Sequence, residues 1–99
     1  MEFVEFVVSE WLSHYGPPNT YIILGRFWDP IRRKHIDYKS SYILEIDVKE
    51  LYQMIMENNK LIRDRIYLVN SEIYFYNKEN AESMLEFINS LYVMNKLTK

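Results

Sequence analysis

Apolar positions recur along this chain at two periods, and the switches between them sketch a fold. In residues 2–15, Val4, Val8, Trp11, Leu12 and Tyr15 are apolar, with Glu5, Ser9, Ser13 and His14 between them, a helical spacing. Gly16 suits the position just past a helix, and Pro17-Pro18 bars continuation, so the pattern predicts an N-terminal helix over 2–15. Val7 and Val8 are β-branched and lower its propensity, which leaves packing to hold it. Residues 21–28 are β-branched and aromatic, bounded by Asn19-Thr20 and Asp29-Pro30, and read as a strand. The polar, basic stretch 29–40 reads as an exposed loop. Residues 41–46 alternate Tyr42, Leu44 and Ile46 against Glu45 and Asp47, the signature of a half-buried strand.

Asp47 with Glu50 is a capping-box variant that opens a helix running to about Glu57 and stopping at Asn58-Asn59. Residues 66–69 and 72–76 flank Asn70-Ser71, a two-residue hairpin turn without the usual glycine. A last helix starts near Asn77 and carries Ala81, Met84, Leu85, Ile88, Leu91 and Tyr92 on one stripe. The segment 43–47 is echoed by 73–77, each a β-like run that ends in a capping residue and feeds a helix. The chain therefore reads as one globular domain over 1–99, an N-terminal helix and two strand–strand–helix units at about 21–58 and 65–95. The expected class is α+β in the order α-β-β-α-β-β-α, with three helices packed on a four-stranded, mainly antiparallel sheet. Both pleat faces of 66–76 are apolar or aromatic, so both need cover. Tyr67, Ile73, Tyr74, Phe75 and Tyr76 are accordingly candidate interface residues; the N-terminal helix could cover the second face and leave a monomer, but a homodimer is the favoured expectation.

Composition narrows the function classes. Ninety-nine residues that are 48% hydrophobic suffice to bury a core. A net charge of −2 gives no overall field for nucleic acid or acidic lipid. The charge is uneven, however: Glu2, Glu5 and Glu10 open the chain without a cation, whereas 31–39 carries Arg32, Arg33, Lys34 and Lys39 against Asp37. With no cysteine there are no disulfides and no thiolate metal sites. The acidic N-terminus lacks signal-peptide character and the apolar runs are too short to span a bilayer, which points to a soluble, intracellular protein rather than a secreted or membrane one.

Candidate chemistry concentrates at 28–39. Arg32, Arg33, Lys34 and His35, flanked by Trp28 and Tyr38, interleave cations with rings that could grip phosphates and stack on bases. The plain alternative is a solvated loop, and no nucleic-acid motif accompanies these residues. His14 and His35 show no metal-ligand spacing, and neither a nucleophile elbow nor a glycine-rich phosphate loop is present. No catalytic residue, metal or cofactor is therefore expected.

Residues with AT-rich codons (Phe, Tyr, Met, Ile, Asn, Lys) make up nearly half of the chain. Its length, lack of cysteine, Ile/Tyr/Asn-rich composition and element order resemble those of small proteins shared by filamentous and rod-shaped viruses of hyperthermophilic archaea (lipothrixvirus and rudivirus type). The opening EFVEFVVSEWLSHYG and the strand YIILGRFWDP carry that resemblance most. It implies a viral origin, a heat- and acid-tolerant fold, action in the host cytoplasm or in the virion, and no assigned activity. The expected role is a non-enzymatic binding or structural module working through contact with a protein partner, itself or a host or viral protein. The alternative is weak nucleic-acid binding through 28–39.

Overall fold

The computed structural model describes residues 1–11, 20–59 and 65–97. Three strands open the chain as an antiparallel meander, β1 (Glu2–Trp11), β2 (Thr20–Asp29) and β3 (Lys34–Lys39). Two helices follow, α1 (Ser40–Leu44) and α2 (Val48–Asn58), then a hairpin of β4 (Ile66–Val69) and β5 (Glu72–Phe75). The C-terminal helix expected as one piece is divided at Met84 into α3 (Lys78–Ser83) and α4 (Leu85–Leu97). The fold is α+β with an antiparallel sheet, but its order is β-β-β-α-α-β-β-α-α and the sheet has five strands.

β2 organises the sheet. One edge pairs with β1 along its length, while the other is shared by two strands. Residues 24–29 pair with β3, and Tyr21 pairs with Phe75 of β5. Where β3 leaves that edge, the buried Ser40 hydroxyl donates to the Ile23 carbonyl in place of a ladder bond. Phe6, Ile23, Ile66 and Phe75 face inward and meet Leu44, Leu51, Ile55, Met84 and Ile88 of the helices in one connected core.

Three expectations are corrected. The N-terminal segment is a strand, not a helix, and a β-bulge interrupts its alternation. The register slips between Phe3 and Glu5, leaving Val4 as an extra residue. Phe3 and Phe6, three apart, both pack with the core side, which imitates helical spacing. The rest of the expected helix, with its stop at residues 16–18, lies outside the described residues. Second, part of the expected loop 29–40 is strand β3, an edge whose charged side chains conceal the alternation of Ile36 and Tyr38 against His35 and Asp37. Third, 41–46 is not a strand, because β5 occupies the edge it would need.

Instead the chain makes five helical residues and stops. The Glu45 N–H donates to Tyr42 O at 3.3 Å and the Ile46 N–H to Ser41 O at 3.1 Å, a Schellman closure with Glu45 left-handed at φ 56°. Asn95 Nδ2 donates to the Leu44 carbonyl at 2.9 Å and ties α4 to this corner. The 21–58 unit therefore has β3, not 41–46, as its second strand, whereas β4, β5 and the helices after them follow the order expected for 65–95, and both expected caps are present. Asp47 accepts the Lys49 N–H at 3.2 Å, and Asn77 accepts that of Glu79 at 2.7 Å. At the hairpin turn Asn70 (φ 52°) and Ser71 (φ 62°) are both left-handed, as a type I′ turn requires.

Gly25 sits mid-strand on β2, opposite Phe6 and Tyr38. A Cβ there would run into the Ile43 side chain and lie 3.4 Å from the Phe3 ring. Gly25→Ala should therefore cost about 1–3 kcal/mol by overpacking. Urea unfolding should show a much smaller cost in an Ile43→Val background. Strictly additive costs would show that Ile43 is not what closes the site.

Candidate functional site

The basic segment is the tip of the β2–β3 hairpin. Asp29 Oδ1 accepts the Ile31 and Arg32 N–H groups at 3.0 and 3.2 Å, and Arg33 turns the chain with φ 54°. Arg32 Nε lies 3.7 Å from Asp29 Oδ2. Ile31 is 92% exposed, the most exposed large apolar residue described, and Arg32, Arg33, Lys34 and His35 are exposed beside it. The tip is thus a shaped knob rather than a loose loop. The sheet splits the aromatics proposed to flank it. Trp28 and His35 face each other across the strands on the outer face, 5.1 Å between rings. Tyr38 points to the helical side, edge-on to Phe27 at 5.4 Å.

The candidate interface residues are divided too. Ile73 and Phe75 face the helices, Phe75 fully buried. Tyr67 stacks on Tyr74 at 5.4 Å and lies 4.7 Å from Tyr76 on the outer side; of the five, only Tyr76 is exposed. Tyr74 is 1% exposed and donates to Glu72 Oε2 at 2.9 Å, while Lys39 Nζ lies 3.6 Å from Glu72 Oε1. The Tyr67 hydroxyl is shielded, and its contact with the Thr20 side chain falls short of a well-formed hydrogen bond.

Among the described residues, two of the concavities bear on a site. The first is a slot in the sheet where β3 and β5 part company, between Lys39 and Glu72 at its mouth and Leu51, Ile55, Phe75 and Ile88 at its base. Those four base residues are core side chains, each no more than 2% exposed, and the two rim charges are already paired. The slot is a seam of the core. The second is a broad groove, about 1150 Å³ counted out to open solvent, between the α1–α2 corner and α4. Phe27, Tyr42 and Tyr92 supply rings, Glu45 and Asp47 supply carboxylates, and Lys96 stands on the α4 side.

The groove is the open end of a continuous aromatic cluster. Phe3 contacts Phe6, Phe27 and Tyr92 at 5.0, 5.5 and 4.3 Å, and Phe27 leads through Tyr38 to Tyr42, which stacks at 5.9 Å and is 73% exposed. Lys96 Nζ sits 5.0 Å from the Tyr92 ring centre, so the molecule itself places a cation on a wall of this groove. An exposed ring and two half-buried ones beside two carboxylates can recognise a cationic or guanidinium-bearing group. The sequence signal for this groove is weak, because Tyr42 and Glu45 read as alternate positions of a strand. Among the described residues, no three His, Cys, Asp or Glu side chains converge as a metal site would need.

Compared with protein-family models, with curated proteins and with solved structures, the chain has no match.

Ionisation at the Tyr67–Tyr74 pair has a readable consequence. Burial first, then the hydrogen bond and charge of Glu72, push Tyr74 up to about 12, and burial with Tyr76 raises Tyr67 in the same direction. The unfolded chain releases these protons near the ordinary tyrosine value of about 10. Between that value and about 12 the folded state therefore holds more protons, and stability falls as pH rises through the window. Urea midpoints measured across alkaline pH should show this fall, and Tyr74→Phe should flatten it while lowering neutral-pH stability by about 1 kcal/mol. An unchanged alkaline slope in that variant would refute the assignment.

Proposed function

We propose that this chain is a non-enzymatic binding and structural module that works through protein–protein contact, with the α1–α2/α4 groove as its recognition surface. The observation that carries the reading is Glu45. The position that ends α1 calls for a left-handed residue, where glycine or asparagine sits without strain. Glutamate there costs backbone energy, at φ 56°, and it sets a carboxylate beside the exposed Tyr42 ring at the rim of a groove. A carboxylate held at a rim beside an open aromatic wall supports recognition there.

The basic tip is the weaker basis for function by itself. Stacking on bases would draw on Trp28, His35 and Tyr38 together, and these lie on opposite faces of the sheet. A viral origin, with action in the host cytoplasm or in the virion, is the companion proposal. It rests on the opening segment and the 21–30 strand, and it carries its own check. A melt of the pure protein should lie well above the mesophilic range of about 45–65 °C; a transition inside that range would count against it.

The reading makes stability and binding separable. Glu45→Gly should leave stability unchanged or raise it by about 1 kcal/mol, since the left-handed penalty goes while unfolded-chain entropy rises. Tyr42→Ala should be nearly neutral, because so exposed a ring has little burial to lose. Both should weaken retention of protein partners on the immobilised chain, with no change in retention on immobilised DNA or RNA. Unaltered protein capture by both variants would remove the groove from the function.

A further inference from the structure

Resting on that reading, we infer that the groove's occupant is the β2–β3 hairpin tip of a second copy of this chain. Tip and groove complement each other in shape and charge. The tip presents an apolar side chain, Ile31, almost wholly in solvent and set among Arg32, Arg33 and Lys34. The groove presents the Phe27, Tyr42 and Tyr92 rings with the Glu45 and Asp47 carboxylates. Among the described residues Arg33 and Lys34 form no ion pair, whereas Arg32 is held by Asp29. An aliphatic knob would pack on the rings while the cations meet the carboxylates. Lys96 over Tyr92 is the intramolecular precedent for a cation on that wall.

The tip is also preorganised. The Asp29 carboxylate closes the turn by accepting two backbone N–H groups, and Pro30 fixes its own φ, so little order remains to be created on binding. Geometry favours a closed pair over a fibre. Phe27 lines the groove and Asp29, two residues on, opens the turn, so knob and hole lie at the same end of β2. Two copies meeting end to end can each seat a tip in the other's groove about a two-fold axis, which satisfies both features at once. A four-residue tip is small beside the roughly 800 Å² per partner of a standard interface. The pair is consequently concentration-dependent, and its charge contacts make it salt-sensitive.

Sedimentation equilibrium on the full chain tests this, over a wide concentration range at low and high salt. Wild type should dimerise, less so as salt rises. Arg33→Glu and Glu45→Lys should each weaken dimerisation by about tenfold or more, with circular dichroism unchanged. Ile31→Ser should weaken it while retaining the salt dependence. An equimolar mixture of the two charge-reversed variants should dimerise again, because both seats are then complementary. A strictly monomeric wild type, a reversed variant that dimerises like wild type, or a mixture that stays monomeric would each overturn the inference. If any of these is found while Tyr42→Ala still loses protein capture, only the self-partner is wrong. If capture is unaffected as well, the groove reading falls with it.

Discussion

The molecule depends on the sharing of one edge of β2 between two strands. β3 holds residues 24–29 of that edge, and β5 holds it at Tyr21. A strand arriving from β3 cannot run on, because its track is taken, and it must leave at Lys39. The backbone acceptor exposed at the departure point is met by the Ser40 hydroxyl, so the corner needs a small polar residue that can start a helix. α1 is the consequence. It is short because it only has to drop Leu44 into the core and return the chain towards α2. The groove exists because of that shortness, since a longer helix would lie across it.

How much of this the sequence discloses depends on whether local pattern and tertiary demand agree. They agree at β2, at α2 with its Asp47 cap, at the 66–75 hairpin and at the start of the last helix, all of which can be read directly. They disagree at β1, where one bulged residue, Val4, resets the inward–outward parity and turns a two-residue period into a three-residue one. They disagree again at 41–46, where the alternation is real but the sheet has no vacancy for it. No local property of SYILEI reports that β5, thirty residues downstream, occupies the needed edge. For the site, the basic segment was visible from its charges and lies where expected, exposed. The groove was not visible, because it is built from β2, the α1–α2 corner and α4, and only the fold brings these together.

The cost of Gly25 fits the same picture. With no side chain at that point, Ile43 can lie down on the sheet beside Phe3. Ile43 in turn holds α1 close enough for Tyr42, its neighbour in sequence, to overhang the sheet edge and stack on Tyr38. A core packing choice thus sets the position of a surface ring. The groove is preorganised by the same contacts that stabilise the fold, which lowers the cost of any binding there.

The tyrosines fall into two populations that physics treats differently, and this decides which face can act as an interface. Around β4 and β5, the rings of Tyr67 and Tyr74 stack, Tyr74 bonds Glu72, and burial shifts both towards the neutral form. Opening that cluster to a partner would expose what folding has already desolvated. Tyr42 has no such closure. It stacks on Tyr38, most of its ring is in water, and the groove it lines carries the Glu45 and Asp47 carboxylates beside apolar side chains such as Ile43 and Ile46. A partner cation there gains ring and carboxylate contacts, and the backbone strain at Glu45 was already accepted when the chain folded. The apolar two-sidedness of the hairpin is therefore a statement about the core, and the partner-facing tyrosine is the one that alternation alone would have assigned to a strand.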